Sequence, residues 1–201
     1  MAPDTRWFKE ARYGLNIQYG LYALLERGEW VLNREHIPID EYKKLANSFT
    51  AEKMDFDKLL CRAKNDWGMR YAAITCKHHD GFCLYDSRLT DFTSTRTRCG
   101  RDLVREFVEA CRKHGLRIAL YHTLNDWVHS PNAVDALEHP GECHRKFIDF
   151  VHGQIREILS NYGKIDVLWY DGWWPFDGQG WQAEKLNAMA RQLQPGILLN
   201  G

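Results

Sequence analysis

The sequence predicts an α/β fold in which parallel strands alternate with helices, as in a (β/α)8 TIM-like barrel. Apolar runs of strand length are followed repeatedly by stretches with helical spacing, a pattern typical of βαβ units. Neither a Gly-x-Gly-x-x-Gly motif nor a P-loop follows these runs, so nothing supports a nucleotide-binding sheet. Five predicted repeats are too few to close an eight-stranded barrel, which takes about 250 residues. We therefore interpret residues 1–201 as one partial barrel, with an open five-stranded doubly wound sheet as the alternative.

The predicted strands share an apolar character and end at polar residues or glycine. They comprise residues 13–20, 70–77, 116–122, 165–171 and 196–200. The predicted helices comprise residues 38–48, 56–67, 103–114, 145–162 and 181–193. Asp55 and Asp102 precede two of these helices and are expected to cap them, because an aspartate oxygen can accept a free backbone N–H of the first turn. A long loop precedes the helix at 145–162.

Composition excludes several classes of function. Lys plus Arg and Asp plus Glu both total 27, so no charge excess indicates nucleic acid or an anionic membrane as a partner. The absence of any run of 18 apolar residues argues against a membrane span. The six cysteines form no Cys-x-x-Cys pair, and no signal peptide is visible. We expect a cytoplasmic location, with a secreted or periplasmic one as the alternative.

Polar and aromatic side chains occupy the positions where the predicted strands end. Gln18 lies near the end of the first strand, His78 and His79 follow the second, Tyr121 is in the third and Asp171 ends the fourth. Functional groups of parallel α/β folds lie at the carboxyl ends of the strands. The sequence therefore predicts an enzyme site for a polar substrate at this rim. The loop pairs 126–127 and 173–174 either line that pocket or pack beside it.

Side-chain alternation places Asp171 and Trp169 on the same face of the fourth strand, with Trp169 beneath Asp171. His78 and His79 can both point inward only if the second strand breaks before them, which the following Asp-Gly allows. Two other interpretations stay open. Asp171 with Gly172 could simply begin a turn, and the histidine pair with Asp80 and the nearby cysteines could bind a metal ion, although the spacing matches no common zinc pattern.

An ordered set of motifs resembles a known family. The motifs are Arg-Tyr-Gly-Leu at 12–15, Gly-Glu-Trp at 28–30, Lys-His-His-Asp-Gly-Phe at 77–82, Gly-Arg-Asp-Leu at 100–103 and Leu-Trp-Tyr-Asp-Gly at 168–172. Together they resemble the α-L-fucosidases of glycoside hydrolase family 29, over nearly the whole chain. The runs at 77–82 and 168–172 are specific, whereas the others would be weak alone.

The resemblance implies a retaining exo-glycosidase that releases terminal L-fucose from an oligosaccharide or glycoconjugate, without a cofactor or a metal ion. The aspartate of the last motif is the family's nucleophile, which places that role on Asp171. A retaining mechanism also needs an acid/base carboxyl group. Other family positions contact the sugar, and the matching residues here are Glu29, Trp30, His78, His79, Tyr121 and Trp169. Asp102 is interpreted as a helix cap only. Association into a homo-oligomer is a further hypothesis.

The chain departs from the family pattern in two ways. The first strand of the family commonly reads Phe-Ile/Leu-His-Trp-Gly, but here Gln18 replaces the histidine, so the sugar preference could differ. The family's acid/base carboxylate lies beyond residue 201, as do further barrel strands and any β-sandwich domain, and Glu184 is not assigned to that role. We expect the isolated 201-residue chain to be weakly active at most. The alternatives are a non-catalytic carbohydrate-binding relic and a metal-dependent hydrolase using His78, His79 and Asp80.

Overall fold

A single sheet of five parallel strands forms the centre of the computed structural model, which describes residues 3–129, 141–174 and 176–200. The strands are β1 Gly14–Ile17, β2 Tyr71–Lys77, β3 Arg117–Thr123, β4 Val167–Asp171 and β5 Leu198–Leu199. All five predicted strands are thereby confirmed. Each neighbouring pair is parallel, and each of the four connections contains at least one α-helix.

The order of the strands in the sheet is the order of the strands in the chain, from β1 to β5. A doubly wound sheet requires the order to reverse at a switch point. Sequential parallel strands with helices on one side are the arrangement found in a (β/α)8 barrel. The described residues therefore form five consecutive units of such a barrel, and the doubly wound alternative was wrong.

Seven α-helices lie among the described residues. They are α1 Arg6–Ala11, α2 Val31–Arg34, α3 Ile39–Lys43, α4 Phe56–Asn65, α5 Leu103–Lys113, α6 Glu142–Asn161 and α7 Ala183–Leu193. Both predicted caps are confirmed, because Asp55 accepts the Lys58 N–H and Asp102 accepts the Arg105 N–H, each at 2.9 Å. The loop predicted before α6 falls partly on residues 130–140, outside the described residues.

The two faces of the sheet have different environments. The helices pack against Ile74, Leu120 and Leu168, whose side chains are fully buried in the main apolar core. The opposite face carries the residues that alternate with these. On it, the β3–β4 register places Tyr121 beside Trp169 and Thr123 beside Asp171. Alternation along each strand thus separates core residues from site residues.

The edge strands β1 and β5 are shorter than their predicted runs of 13–20 and 196–200. An edge strand forms hydrogen bonds with one neighbour only. An apolar run at the edge can therefore be longer than the strand itself. The last ladder pair with β2 is Ile17 with Ile74, and beyond it the Thr75 hydroxyl bonds to the Gln18 side chain (3.0 Å) instead. The ladder with β2 therefore ends before Gln18.

Within the described ranges no helix combines the length and the apolar character needed to cross a membrane. All six cysteines are free thiols, and Cys76, Cys83 and Cys111 are buried among apolar side chains. The fold of this chain thus depends on packing and hydrogen bonds, with no disulfide among these cysteines.

Replacing Asp102 by alanine should destabilise the fold by about 2 kcal/mol, because the carboxylate caps α5 and also accepts the buried Tyr162 hydroxyl (2.7 Å). Asp55→Ala is the matched control, since that carboxylate only caps α4, and should cost about 1 kcal/mol. Urea unfolding measures both free energies. Equal losses in the two variants would contradict a second role for Asp102.

Candidate functional site

The carboxyl ends of β2, β3 and β4 bring four of the predicted site residues together. Asp171 ends β4, Tyr121 lies in β3, and the histidine pair His78–His79 follows β2 directly. Tyr121 donates a hydrogen bond to Asp171 (2.6 Å) and stacks on His78 with a ring separation of 6.1 Å. His79 Nε2 lies 3.8 Å from Asp171 Oδ2. The predicted convergence at one rim is therefore present.

A strand irregularity explains how both histidines enter the site. The β2–β3 register shifts between Thr75 and Lys77, and β2 ends at Lys77. His78 and His79 are consequently free of strand alternation, and their rings lie 4.2 Å apart, both buried. Gly81 follows with a φ of +78°, a left-handed conformation that favours glycine. The expected strand break is confirmed.

Asp171 is positioned from several sides but remains accessible, with 35% of its side chain exposed. Trp169 packs edge-on against Tyr121 at 5.3 Å, one step further down the same face. Gly172 has a φ of +68°, and a Cβ at this position would lie 2.7 Å from Thr123 Oγ1 and 2.8 Å from His79 Cε1. Asp171 thus belongs to the β4 strand, and the following glycine lets the chain pass close beneath the site. Asp171 is the last residue of β4, and the chain leaves the strand at Gly172.

An aromatic wall made of Trp30, Trp127 and Trp174 surrounds His79. Trp127 and Trp174 each lie 5.3 Å from the His79 ring, and Trp30 lies 5.4 Å from it. Trp30 also stacks on Trp174 at 5.8 Å. Of the loop pairs that the sequence left open, Trp127 and Trp174 therefore line the site, whereas Trp173 points outward with 67% exposure.

Gln18 and Glu29 lie at the edge of the same region. Gln18 is exposed, and its Oε1 accepts the Thr75 hydroxyl at 3.0 Å, which leaves its amide N–H groups as the outward donors. Glu29 is partly buried immediately before α2. Burial and Asp171 are the main causes of the raised pKa of Tyr121, and Glu29 is the smallest of the causes.

The buried rings of the site are uncharged near neutral pH. Burial lowers the pKa of His78 to about 3 and that of His79 to about 4, although the Asp171 carboxylate favours the charged form of His79. Burial raises the pKa of Tyr121, and its hydrogen bond to Asp171 raises that pKa further. Tyr121 therefore keeps its proton and donates a hydrogen bond to Asp171.

The geometry does not favour a metal site at the histidine pair. Asp80 turns away, because its oxygens accept the Tyr42 hydroxyl (2.7 Å) and the Phe82 N–H (3.1 Å). Burial raises the pKa of the Cys76 and Cys83 thiols, which opposes the thiolate form that binds metals. In the described part of the chain, no three His, Cys, Asp or Glu side chains are arranged so that they could hold a metal ion.

Sequence reasoning missed Thr123 and Lys77 as residues that support the site, and it considered Asp126 only as part of a loop pair beside the pocket. Thr123 Oγ1 bonds to His79 Nδ1 at 2.5 Å. Lys77 and Asp126 form a fully buried ion pair of 2.9 Å behind the histidines. Lys77 stands in a specific motif, which could have indicated its importance, whereas no sequence signal links Thr123 or Asp126 to His79. Glu184, which was not assigned a catalytic role, is exposed on α7.

Comparison with solved structures confirms the fold. Alpha-L-fucosidase isoenzyme 1 from Paenibacillus thiaminolyticus is 40% identical with a TM-score of 0.87, and the match covers 97% of this chain and 49% of that one. The alpha-L-fucosidase AlfC from Lactobacillus casei, solved with its alpha-L-fucose product, is 33% identical with a TM-score of 0.85, covering 98% of this chain and 70% of that one. Both similarities support five units of a barrel.

Comparison of sequences leads to the same family. Tissue alpha-L-fucosidase from Rattus norvegicus is 28% identical over 92% of this chain and 43% of its own length. The chain thus spans about two fifths of the length of the curated relatives it matches. A family model described as alpha-L-fucosidase matches residues 2–201. Because that match extends over nearly every residue, the chain belongs to the alpha-L-fucosidase family.

Proposed function

We propose that the protein hydrolyses terminal α-L-fucosides with retention and that Asp171 is its nucleophile. The observation that carries the proposal is the position of Asp171, an accessible carboxylate at the end of β4 whose Oδ2 accepts the Tyr121 hydroxyl at 2.6 Å. Asp171 accounts for one of the two carboxyl groups that a retaining glycosidase needs. Membership of the family supports the reaction class.

The geometry around Asp171 suits nucleophilic attack. Tyr121 donates to Oδ2, so Oδ1 is the oxygen left to bond to the anomeric carbon, and no described residue donates to it. The bond from the anomeric carbon to the leaving oxygen breaks as the carboxylate attacks, giving a glycosyl ester that water later hydrolyses. The Tyr121 hydrogen bond fixes the carboxylate plane for both steps. It adds no charge to the site.

His79 has the hydrogen-bonding state that a sugar hydroxyl requires. Thr123 has one hydroxyl proton, which it donates to the Asn125 carbonyl (3.1 Å), so its oxygen accepts from His79 Nδ1. The neutral ring then presents Nε2 as an acceptor beside Asp171. A hydroxyl of the bound sugar can donate to Nε2, close to the reacting carbon. His78 Nδ1 is buried without a partner among the described residues and can bond to another hydroxyl.

The substrate class follows from polar acceptors next to an apolar wall. Fucose has ring hydroxyls and a C5 methyl group, so it needs hydrogen-bonding groups on one side and apolar surface on the other. The histidine pair, Gln18 and Glu29 provide the former, and Trp169 together with the aromatic wall provides the latter. A point mutant of the alpha-L-fucosidase AlfC has been solved in complex with Fuca(1,6)GlcNAc, which supports a fucosylated glycan as the ligand.

A non-catalytic carbohydrate-binding protein is the competing hypothesis. It predicts that fucose binds and that no ester forms on Asp171. A fluorinated fucosyl donor, which slows hydrolysis of the ester, separates the two by mass spectrometry.

Asp171→Ala should abolish formation of that ester and lower kcat by at least about 10³-fold, because the nucleophile is gone. The experiment measures aryl-fucoside turnover and the mass of the peptide containing residue 171. Asp177→Ala, on the exposed loop that follows, is the matched control and should behave like the parental protein. Parental turnover in Asp171→Ala would overturn the nucleophile assignment.

The His79 ring should remain neutral down to about pH 4, with its proton on Nδ1, since burial disfavours the charged form and Thr123 accepts that proton. Nitrogen-15 NMR of labelled histidine reports both the tautomer and the titration. In Thr123→Val the ring loses this acceptor, and we expect the proton to move to Nε2, toward Asp171. A ring that carries its proton on Nε2 in the parental protein would contradict the prediction.

Gln18→Leu should raise KM for an aryl fucoside about tenfold, because the outward amide donors are lost while the size of the side chain is kept. Gln18→His restores a donor and should recover most of that loss. Steady-state kinetics of the parental protein and the two variants give the three KM values. An unchanged KM in Gln18→Leu would show that Gln18 does not contact the sugar.

A further inference from the structure

Lys77 is a lysine with no exposed surface at the end of β2. The register shift after Thr75 pairs Lys77 with His122 on β3, so its side chain points to the helix side of the sheet. Its ammonium group donates to Asp126 (2.9 Å) and to Gln154 on α6 (2.7 Å). A buried ammonium group is costly unless it is paired in this way. The pair lies outside the set of residues that contact the sugar by family resemblance.

Asp126 connects this cation to the loop after β3. Its Oδ1 accepts the backbone N–H groups of Val128 (3.0 Å) and His129 (2.8 Å), and its Oδ2 accepts His129 Nδ1 (2.9 Å) in addition to Lys77. Burial alone would raise the pKa of Asp126, but the Lys77 ammonium and the His129 bonds hold it below its usual range. The carboxylate is thus the centre of the turn at 125–129.

That turn carries part of the aromatic wall. The Trp127 N–H donates to the His79 carbonyl at 2.8 Å, and the Trp127 ring packs against both His79 (5.3 Å) and Trp30 (5.1 Å). A Cβ on Gly81 would lie 2.7 Å from Asp126 Oδ1, so the turn that follows the histidines packs directly on the same carboxylate. The ion pair therefore contacts both segments that frame His79.

We propose that Lys77 and Asp126 are positioning residues that hold the Trp127 indole and the His79 imidazole in the geometry the sugar requires. Neither reaches the reacting atoms. Their role is to fix two segments, the turn at 125–129 and the residues after β2, through one charge-assisted contact. The inference rests on the proposed function, because the sugar is the ligand whose binding it predicts.

Loss of either partner should leave an uncompensated buried charge and loosen this turn. Trp127 and His79 would then contact the sugar less well in the ground state and the transition state alike, which raises KM more than it lowers kcat. A purely structural pair would instead change only the fraction of folded protein. Rates divided by the concentration of active sites, counted by labelling with the fluorinated fucosyl donor, separate these two cases.

The test uses Lys77→Met and Asp126→Ala in the protein that carries this chain, with aryl fucoside as substrate. We expect KM to rise about tenfold in both variants with a smaller change in kcat. Lys113→Met is the matched control, since it breaks an exposed Lys–Asp pair to Asp57 (2.8 Å). Leu159→Ala leaves a cavity beside α6, because the Leu159 side chain is buried, and it controls for lost stability. Both controls should keep the parental KM, and a parental KM in Lys77→Met would overturn the proposal.

Two further measurements keep the test decisive. If Lys77→Met does not fold, His129→Ala removes one partner of Asp126 at a partly exposed position and should raise KM about threefold; an unchanged KM overturns the proposal. The Trp127 indole resonance reports packing on His79 without turnover and should shift in Lys77→Met but not in Lys113→Met. An unshifted resonance contradicts positioning, whereas absence of turnover in the parental protein contradicts only the proposed function.

Discussion

The parallel register between β3 and β4 is the constraint on which the site depends. It pairs Tyr121 with Trp169 and Thr123 with Asp171, so a phenol, a hydroxyl, an indole and a carboxylate meet on one face. A shift of one residue would turn Asp171 into the helix layer, since side chains alternate along a strand. In this register Tyr121 donates its hydrogen bond to Asp171, two residues beyond its own strand partner Trp169.

The irregularity at the end of β2 is the second feature that decides which side chains enter the site. A regular strand would direct only one of the two histidines inward, but the shift between Thr75 and Lys77 admits both. The same irregularity turns Lys77 to the opposite side, where it meets Asp126. One local departure from strand geometry thus creates the imidazole surface and the buried ion pair behind it. Bulges commonly re-aim side chains in this way next to active sites.

Burial sets the chemistry of the groups around Asp171. The imidazoles are neutral because a charged ring would be poorly solvated there, and the phenol keeps its proton for the same reason. Neutral donors and acceptors next to one carboxylate suit a sugar, whose hydroxyls also both donate and accept. The Lys77 ammonium and the Asp126 carboxylate compensate each other on the helix side of the sheet.

The sequence by itself determined the five strands, the two capping aspartates, the face shared by Trp169 and Asp171, and the rim where the polar residues meet. These features depend on local periodicity and on which residue follows which. Only the tertiary structure decided the strand order, the short edge strands, the Thr123–His79 bond and the Lys77–Asp126 pair. Such contacts join residues 44 and 49 positions apart, and their partners are chosen by sheet register and burial, which no local pattern encodes.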